Sequence, residues 1–283
     1  MTTPFLKMHG LGNDFVVIDA RRTGFFPDAT TARAIADRRT GVGCDQLIVI
    51  AQPVDPAATA VMRIFNPDGR EVGACGNATR CVASLLMAET GRDAVVIETR
   101  AGLLPARAGR QGAISVDMGP ARLEWGEIPL AYAADTMSLP VAAGTLSAPV
   151  GVNMGNPHAV FFVPDVAGVD IAALGPLVEH HPLFPERTNV EFAQILSRQS
   201  IRMRVWERGA GITMACGSGA CATLVAAVRR GLTDRTAAVH LDGGPLTITW
   251  RDDGHVLMTG PVAIAFTGSL GPDLLTPPPV GGA

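Results

Sequence analysis

Two segments of this sequence resemble each other: Phe65-Asn66-Pro67-Asp68-Gly69, which runs on to Cys75-Gly76-Asn77, and Trp206-Glu207-Arg208-Gly209, which runs on to Cys216-Gly217-Ser218. Each begins with an aromatic and a polar residue and reaches a cysteine nine positions after that polar residue. Each continues through glycine and a small polar residue into a stretch rich in helix-forming residues. The two cysteines lie 141 residues apart, about half of the 283-residue chain. This spacing indicates two copies of one structural unit.

Further short patterns recur at the same distance, between 141 and 143 residues. In each half, a polar residue precedes an apolar run typical of a buried strand, and a Gly-Pro pair follows a later strand. The corresponding positions are Asn13 and Asn156, Gln46 and Asn189, Asn66 and Glu207, and Gly119 and Gly260. Because the echoes keep the same order, chance is a poor explanation. The sequence therefore predicts an internal duplication.

Strand patterns outnumber helix patterns in both halves. Each half has one long predicted helix, Thr79–Ala88 ended by Gly91 and Ala220–Val228 ended by Gly231. A shorter helix capped by Thr30 or Thr31 is predicted near the N-terminus. The predicted fold class is α+β, with two pseudo-symmetric domains that each wrap a sheet around a central helix.

The predicted domains are residues 1–118, joined by the C-terminal segment 265–283, and residues 119–264. Residues 121–147 carry two prolines and no clear periodicity, which is typical of a connection. The proline- and glycine-rich tail 276–283 is expected to be loose.

Composition excludes several classes of protein. The net charge is −3 and the pI near 6.1, without a basic block, which argues against a nucleic-acid surface. No 18-residue apolar run is present, and the first residues lack a signal-peptide pattern. We therefore expect a cytoplasmic protein without nucleic-acid or membrane partners.

The cysteines and the lysine content bear on the chemistry. Five cysteines are an odd number, which favours thiols over a disulfide framework in a reducing compartment. Lys7 is the single lysine, and no phosphate-cradling loop lies beside it. Since pyridoxal phosphate requires a lysine for its Schiff base, this cofactor is disfavoured, and no cofactor is predicted.

Cys75 and Cys216 both precede predicted helices. A helix N-terminus lowers the pKa of a thiol and presents backbone N–H groups to an anion such as a carboxylate. Two such half-sites facing one ligand would place a thiol on each side of it. One thiol can then remove an α-proton while the other protonates the opposite face. This pattern predicts racemisation or epimerisation by general acid–base catalysis.

Other interpretations of the cysteines must be weighed. Cys44, Cys81 and Cys221 are expected to be small core residues. A zinc site made of Cys75, Cys81, Cys216 and Cys221 is a rival, but its C-x5-C and C-x4-C spacings are looser than usual and place one cysteine of each pair inside a helix. A non-catalytic thiol or zinc-binding protein thus remains an alternative, although no metal site is predicted.

The chain closely resembles the diaminopimelate epimerase family. The resemblance extends from Lys7–Phe15 to Met258–Pro261 and is most specific in four segments: Phe65–Asn77, Met154–His158, Arg187–Phe192 and Trp206–Ala220. It implies interconversion of LL- and meso-diaminopimelate, without a cofactor, in lysine and peptidoglycan precursor biosynthesis. It also implies two pseudo-symmetric α+β domains with the site between them.

The resemblance assigns roles to individual residues. It implies Cys75 and Cys216 as the catalytic thiols, with His158 and Glu207 as supporting residues that help to set thiol protonation. The substrate-binding set that it implies is Asn13, Gln46, Asn66, Gly76, Asn77, Asn156, Asn189, Glu207, Arg208, Gly217 and Ser218. Arg208 and the asparagines would hold the distal amino-acid end, since a guanidinium matches a carboxylate.

The resemblance also implies a homodimer, and Phe266 falls near a position where some relatives carry a tyrosine in the subunit contact. A proline or hydroxyproline racemase of the same fold is the nearest alternative. Such an enzyme does not need a long polar pocket, so Arg208 together with Asn66, Asn156 and Asn189 favours the diamino diacid.

Overall fold

The computed structural model describes residues 3–73 and 75–275. The chain divides into two compact units: a first unit of Met1–Val116 with Pro261–Ala283, and a second unit of Asp117–Gly260. The predicted loose tail, residues 276–283, lies outside the described residues.

The first unit is built around one mixed sheet and one long helix. The elements are β1 Thr3–Gly10, β2 Asn13–Asp19, α1 Ala29–Ala36, β3 Gln46–Ala51, β4 Ala60–Phe65, β5 Glu71–Val72, α2 Gly76–Thr90, β6 Ala94–Thr99, β7 Gly102–Ala108, a 3₁₀ turn at Arg110–Gly112, β8 Ile114–Pro120, which runs into the second unit, and then β19 Ala263–Leu270 and α5 Pro272–Leu275. Antiparallel pairs join β1–β2, β3–β4, β4–β5, β6–β7 and β7–β8, parallel pairs join β2–β3 and β4–β6, and β1 also pairs with β19.

The second unit repeats this plan. The elements are β9 Ala142–Ala143, β10 Leu146–Ser147, β11 Val150–Asn153, β12 Pro157–Phe162, α3 Ile171–Glu179, β13 Asn189–Ser197, β14 Ser200–Glu207, β15 Gly211–Ile212, α4 Gly217–Arg229, β16 Thr236–Leu241, β17 Gly244–Trp250 and β18 His255–Gly260. Antiparallel pairs join β11–β12, β13–β14, β14–β15, β16–β17 and β17–β18, and parallel pairs join β12–β13 and β14–β16.

The predicted duplication is confirmed by this order. In both units, a short helix follows the second strand of an antiparallel pair, and the long helix separates the two strands of the later parallel pair. The helix α4 packs on β11, β12, β13, β14, β16, β17 and β18, and α2 packs on β1, β2, β6 and β7. The predicted α+β class, with a sheet wrapped around a helix in each unit, is therefore correct.

The long helices bury small and apolar side chains. In α2, Ala78, Cys81, Val82, Ala83 and Leu86 have no exposed surface. Nine consecutive residues of α4, from Gly219 to Ala227, are buried, and they include Cys221. The predicted core roles of Cys81 and Cys221 agree with this burial, and Cys44 is buried as well.

Several element predictions were wrong in detail. Asp28, not Thr30 or Thr31, caps α1, because its carboxylate accepts the Thr31 N–H at 2.7 Å. The glycines and Asn13 of residues 8–14 are typical of a loop, but these residues form a β1–β2 hairpin whose turn is Leu11-Gly12, both at positive φ. The sequence did not predict the strands β1, β5, β7, β9–β11, β15–β17 and β19 or the helices α3 and α5.

Candidate functional site

The two conspicuous cysteines occupy equivalent places. Cys75 is the N-cap of α2 and Cys216 is the N-cap of α4, both with extended backbone. The helices begin at Gly76 and Gly217, three residues earlier than predicted, so the Gly-Asn and Gly-Ser pairs lie in the first helical turn. The N–H groups of a first turn have no acceptor within the helix. Each cysteine therefore stands beside donors that suit an anion.

Strand geometry gathers the polar residues of the first unit at the same edge. Asn13 and Gln46 begin the parallel strands β2 and β3, and Asn66 directly follows β4, which is antiparallel to β3. Starts of parallel strands and the end of an antiparallel neighbour meet at one edge of a sheet. The Gln46 side-chain amide accordingly donates to Asn66 Oδ1 at 3.0 Å.

Asn13 connects this edge to the helix start. Its Oδ1 accepts a hydrogen bond from Asn77 Nδ2 at 3.1 Å and lies 4.0 Å from Cys75 Sγ, while its Nδ2 donates to Asp45 at 2.9 Å. Asn77 in turn accepts from Arg80, whose guanidinium is fully buried, at 3.0 Å. The Cys75 side chain is partly exposed. The structure thus brings Cys75, Asn13 and Asn77 together at the start of α2.

The second half-site holds a more buried thiol. Cys216 is 4% exposed. Its sulfur accepts a hydrogen bond from the Gly219 N–H, with 3.4 Å between nitrogen and sulfur, and lies 3.6 Å from Ser218 Oγ. Burial, together with the neighbouring carboxyl groups of Glu207 and Glu191, raises the pKa of Cys216 well above its ordinary value. The expectation that the helix start lowers this pKa is therefore wrong for Cys216: desolvation and like charge outweigh the helix N-terminus.

Glu207 is the last residue of β14, and its carboxyl group is linked to Thr213 Oγ1 and to the Cys216 thiol by hydrogen bonds. Burial raises its pKa, and the charge of Glu191 acts in the same direction. A carboxyl with a raised pKa that is hydrogen-bonded to a thiol is placed to exchange a proton with it.

A buried chain of polar groups lies behind this thiol. His158 and Glu191 have no exposed surface, and His158 Nδ1 lies 2.7 Å from Glu191 Oε1. The other ring nitrogen, Nε2, lies 2.9 Å from Asn156 Oδ1. His158 and Asn156 were predicted site residues, whereas Glu191 was not assigned a role. A charged residue inside the apolar strand β13 was the available signal.

Arg208 is held by its backbone and by one side-chain nitrogen. Its N–H donates to Asn189 Oδ1 at 2.9 Å, and its Nη1 donates to the Glu186 carbonyl at 3.0 Å. Asn189 is 3% exposed and also donates to the Pro157 carbonyl, so its side chain mainly positions Arg208 and β12. The Arg208 guanidinium remains exposed and keeps further donors for a carboxylate.

A second buried carboxyl, which no sequence pattern predicted, fixes the segment Trp206–Gly209. Glu179, 3% exposed at the end of α3, accepts the Trp206 indole N–H at 2.7 Å and the Gly209 N–H at 2.9 Å. It therefore sets the path of the four residues that contain Glu207 and Arg208.

The remaining candidate chemistry is limited. The Lys7 ammonium group is buried in an ion pair with Asp14 and a hydrogen bond to the Gly43 carbonyl. All five cysteines are thiols, and burial raises the pKa of Cys44 to about 11 and that of Cys81 to about 12. In residues 3–73 and 75–275, no three His, Cys, Asp or Glu side chains lie where they would share a metal ion.

Comparison with known proteins identifies the relatives of this chain. The family model described as "Diaminopimelate epimerase" matches residues 5–124 and 150–265. The chain belongs to the diaminopimelate epimerase family. Its relatives include diaminopimelate epimerases from Rhodospirillum centenum, 63% identical over 97% of this chain and 94% of the relative, and Acidiphilium cryptum, 57% identical over 97% and 98%.

Solved structures share the fold at low identity. A predicted epimerase from Pseudomonas aeruginosa aligns with a TM-score of 0.70 and 20% identity over 95% of this chain and 99% of its own. A probable proline racemase from Agrobacterium radiobacter gives a TM-score of 0.70 and 16% identity over 96% and 95%. The fold of this chain is therefore also the fold of this probable proline racemase.

Proposed function

We propose that this protein interconverts LL- and meso-diaminopimelate, a step of lysine and peptidoglycan precursor biosynthesis, with Cys75 and Cys216 as the acid–base thiols and without a cofactor. The observation that carries the proposal is identity above 50%, over nearly the whole chain, to relatives named diaminopimelate epimerase. The matched cysteines at the starts of α2 and α4 give this isomerase activity a chemical basis.

In the proposed reaction, the two thiols act on opposite faces of the α-carbon. In one direction, Cys75 as a thiolate removes the α-proton, and Cys216, whose raised pKa keeps it protonated, donates a proton to the other face. The reverse direction exchanges these roles. The first-turn N–H groups at Gly76-Asn77 and Gly217-Ser218 would stabilise the charge that develops on the α-carboxylate.

The remaining polar residues would bind the substrate. We propose that Arg208 pairs with the distal carboxylate, and that Asn13, Gln46, Asn66, Asn156 and Asn189 orient the amino-acid groups or the residues that hold them. Glu207 and His158 would support proton transfer at Cys216, since Glu207 is hydrogen-bonded to that thiol.

The experiment is a paired incubation of the reduced, metal-free protein with LL-diaminopimelate and with L-proline, followed by chiral separation. Formation of the meso isomer with proline unchanged is expected. Racemisation of proline alone would retain the two-thiol chemistry but refute the substrate, and no reaction with either compound would refute the function.

We further propose a homodimer in the cytoplasm. Ile264 and Phe266 on β19 are 52% and 50% exposed, and exposed apolar pairs on a sheet favour a partner surface. Five thiols without a disulfide are consistent with a reducing compartment. Among the described residues, no helix has the length and apolarity needed to cross a membrane. Sedimentation should give a dimer for the wild type and a monomer for Phe266→Glu. A dimeric variant would refute the proposal that β19 forms the subunit contact.

A further inference from the structure

The buried carboxyl of Glu191 has a position that the proposed reaction does not yet explain. Glu191 lies in β13, opposite Val205 of β14 and beside Val160 of β12, and has no exposed surface. One oxygen contacts His158, and the other, Oε2, has no hydrogen-bond partner among the described residues. A buried carboxyl oxygen without a partner is costly, so a gain in stability does not explain this residue.

The hydrogen bonds of His158 indicate its charge. Its two ring nitrogens face two oxygen atoms, Glu191 Oε1 at 2.7 Å and Asn156 Oδ1 at 2.9 Å. We infer that the ring donates to both oxygens, so that it carries two protons as an imidazolium. A fully buried imidazolium requires a counter-charge, and Glu191 is its ion-pair partner in the described structure.

The absence of a side chain at Gly219 brings Glu191 close to the thiol. A Cβ built on Gly219 would lie 2.7 Å from Glu191 Oε1 and 3.2 Å from Cys216 Sγ. The two groups therefore flank the same position in the first turn of α4. The charged or titratable groups that face the thiol come from three strands: Glu191 of β13, Glu207 of β14 and, through Glu191, His158 of β12.

We propose that Glu191 is a positioning residue for proton transfer at Cys216: its carboxylate fixes the His158 ring and, across Gly219, holds a negative charge beside the thiol. The negative charge keeps Cys216 protonated until substrate arrives, which prepares it to act as the acid. This inference rests on the acid–base role proposed above for Cys216. It assigns Glu191 an electrostatic function that an uncharged side chain of equal size would lack.

The test is the pH dependence of Cys216 alkylation by iodoacetamide in the reduced full-length protein, quantified by mass spectrometry of the peptide 209–229. Fragmentation separates Cys216 from Cys221. In Glu191→Gln, which keeps the size of the side chain, the midpoint for Cys216 should fall by about one to two pH units. Glu191→Asp, which keeps the charge, should remain near the wild type. The matched control Glu124→Gln removes an exposed carboxylate from the same unit and should leave the midpoint unchanged.

An unchanged midpoint in folded Glu191→Gln would overturn the proposal, because a purely structural carboxyl would not move it. If this variant does not fold, ¹⁵N-histidine NMR of the wild type decides, with the His158 signals assigned from their loss in His158→Gln. Two protonated ring nitrogens at neutral pH are expected, and a neutral tautomer would overturn the proposal.

The alkylation measurement needs no turnover. A wild type that fails to epimerise diaminopimelate would therefore refute the proposed function, and that failure is distinguishable from failure of the Glu191 proposal. In an active enzyme, the pH profile of kcat should move with the alkylation midpoint in Glu191→Gln, whereas a profile that stays in place would overturn the link to proton transfer.

Discussion

Replacement of Glu179 by alanine should destabilise the second unit by about 3 kcal/mol. Glu179 is 3% exposed and accepts two hydrogen bonds, from the Trp206 indole at 2.7 Å and from the Gly209 N–H at 2.9 Å. A hydrogen bond to a charged group contributes about 1.5–3 kcal/mol, and the lower value applies here because Trp206 is only partly buried. The 3.7 Å ion pair with exposed Arg187 adds little.

Urea unfolding followed by tryptophan fluorescence measures this change selectively. Trp125, Trp206 and Trp250, the three tryptophans of the chain, all belong to the second unit. Glu179→Gln keeps one acceptor oxygen and should lose about half as much free energy of unfolding as Glu179→Ala. The exposed neighbour Glu186 gives the control, since Glu186→Ala should change the free energy by no more than about 0.5 kcal/mol.

The same variants should separate binding from chemistry. Because Glu179 fixes the segment that carries Arg208, loss of the carboxylate should raise KM for diaminopimelate more than it lowers kcat. The reasoning is refuted if Glu179→Ala unfolds within 0.5 kcal/mol of the wild type at the same m value. If Glu179→Gln and the wild type had equal free energies of unfolding, the size of the side chain, and not the negative charge of the acceptor, would account for its contribution to stability.

Three further predictions follow from other contacts. Burial alone would raise the pKa of Asp14, but hydrogen bonds from Arg38 and Lys7 outweigh it and lower the pKa to about 2. Asp14 therefore stabilises the fold above its ordinary pKa, and the destabilisation of Asp14→Asn, roughly 1–2 kcal/mol at pH 7 after discounting for solvent screening, should shrink as the pH falls from 4 to 2 in calorimetry; a constant difference would contradict this. Gly175→Ala should cost about 3 kcal/mol, because the new Cβ would lie 2.4 Å from Trp206 Cγ, and wild-type stability would contradict the packing. Cys75→Ser and Cys216→Ser should each lower kcat at least about 100-fold with the circular dichroism spectrum unchanged, and near-normal activity of either would end the two-thiol model.

The duplication was predictable because turns and helix starts leave a dense pattern of Gly, Asn and Cys. The polar residues at Asn13, Gln46 and Asn66 stand where strands begin or end, and their counterparts in the second unit stand at equivalent places. Strand periodicity locates such boundaries well. The equivalent positions of the two units could therefore be predicted from the sequence.

The missed features depend on tertiary contacts. Glycine and proline in Gly175-Pro176 argue against a helix, yet α3 forms there because Gly175 lets the Trp206 ring pack directly on its backbone. Gly10 lies in a glycine-rich stretch that is typical of a loop, but it continues β1 and makes room for the buried Arg80 guanidinium, 2.8 Å from where a Cβ would stand. Neither partner is near in sequence, so no local pattern reveals these contacts.

The electrostatics of the second thiol could not be predicted for the same reason. A helix start predicts a lowered thiol pKa, and only the three-dimensional structure shows that Cys216 is buried beside Glu207 and near Glu191. Glu191 lies 25 residues before Cys216 along the chain, inside an otherwise apolar strand. Burial and the nearby carboxyl groups therefore raise the pKa of the Cys216 thiol, whereas the helix start alone would lower it.

The most direct test of two-thiol epimerisation is early-time proton NMR of LL-diaminopimelate in D₂O with the reduced enzyme. Two separate acid–base groups predict that deuterium appears at the α-carbon of the new meso product while the remaining LL substrate keeps its proton. Equal early deuteration of substrate and product would indicate a single base that serves both faces, and it would contradict the assignment of Cys75 and Cys216 to opposite sides of the reacting carbon.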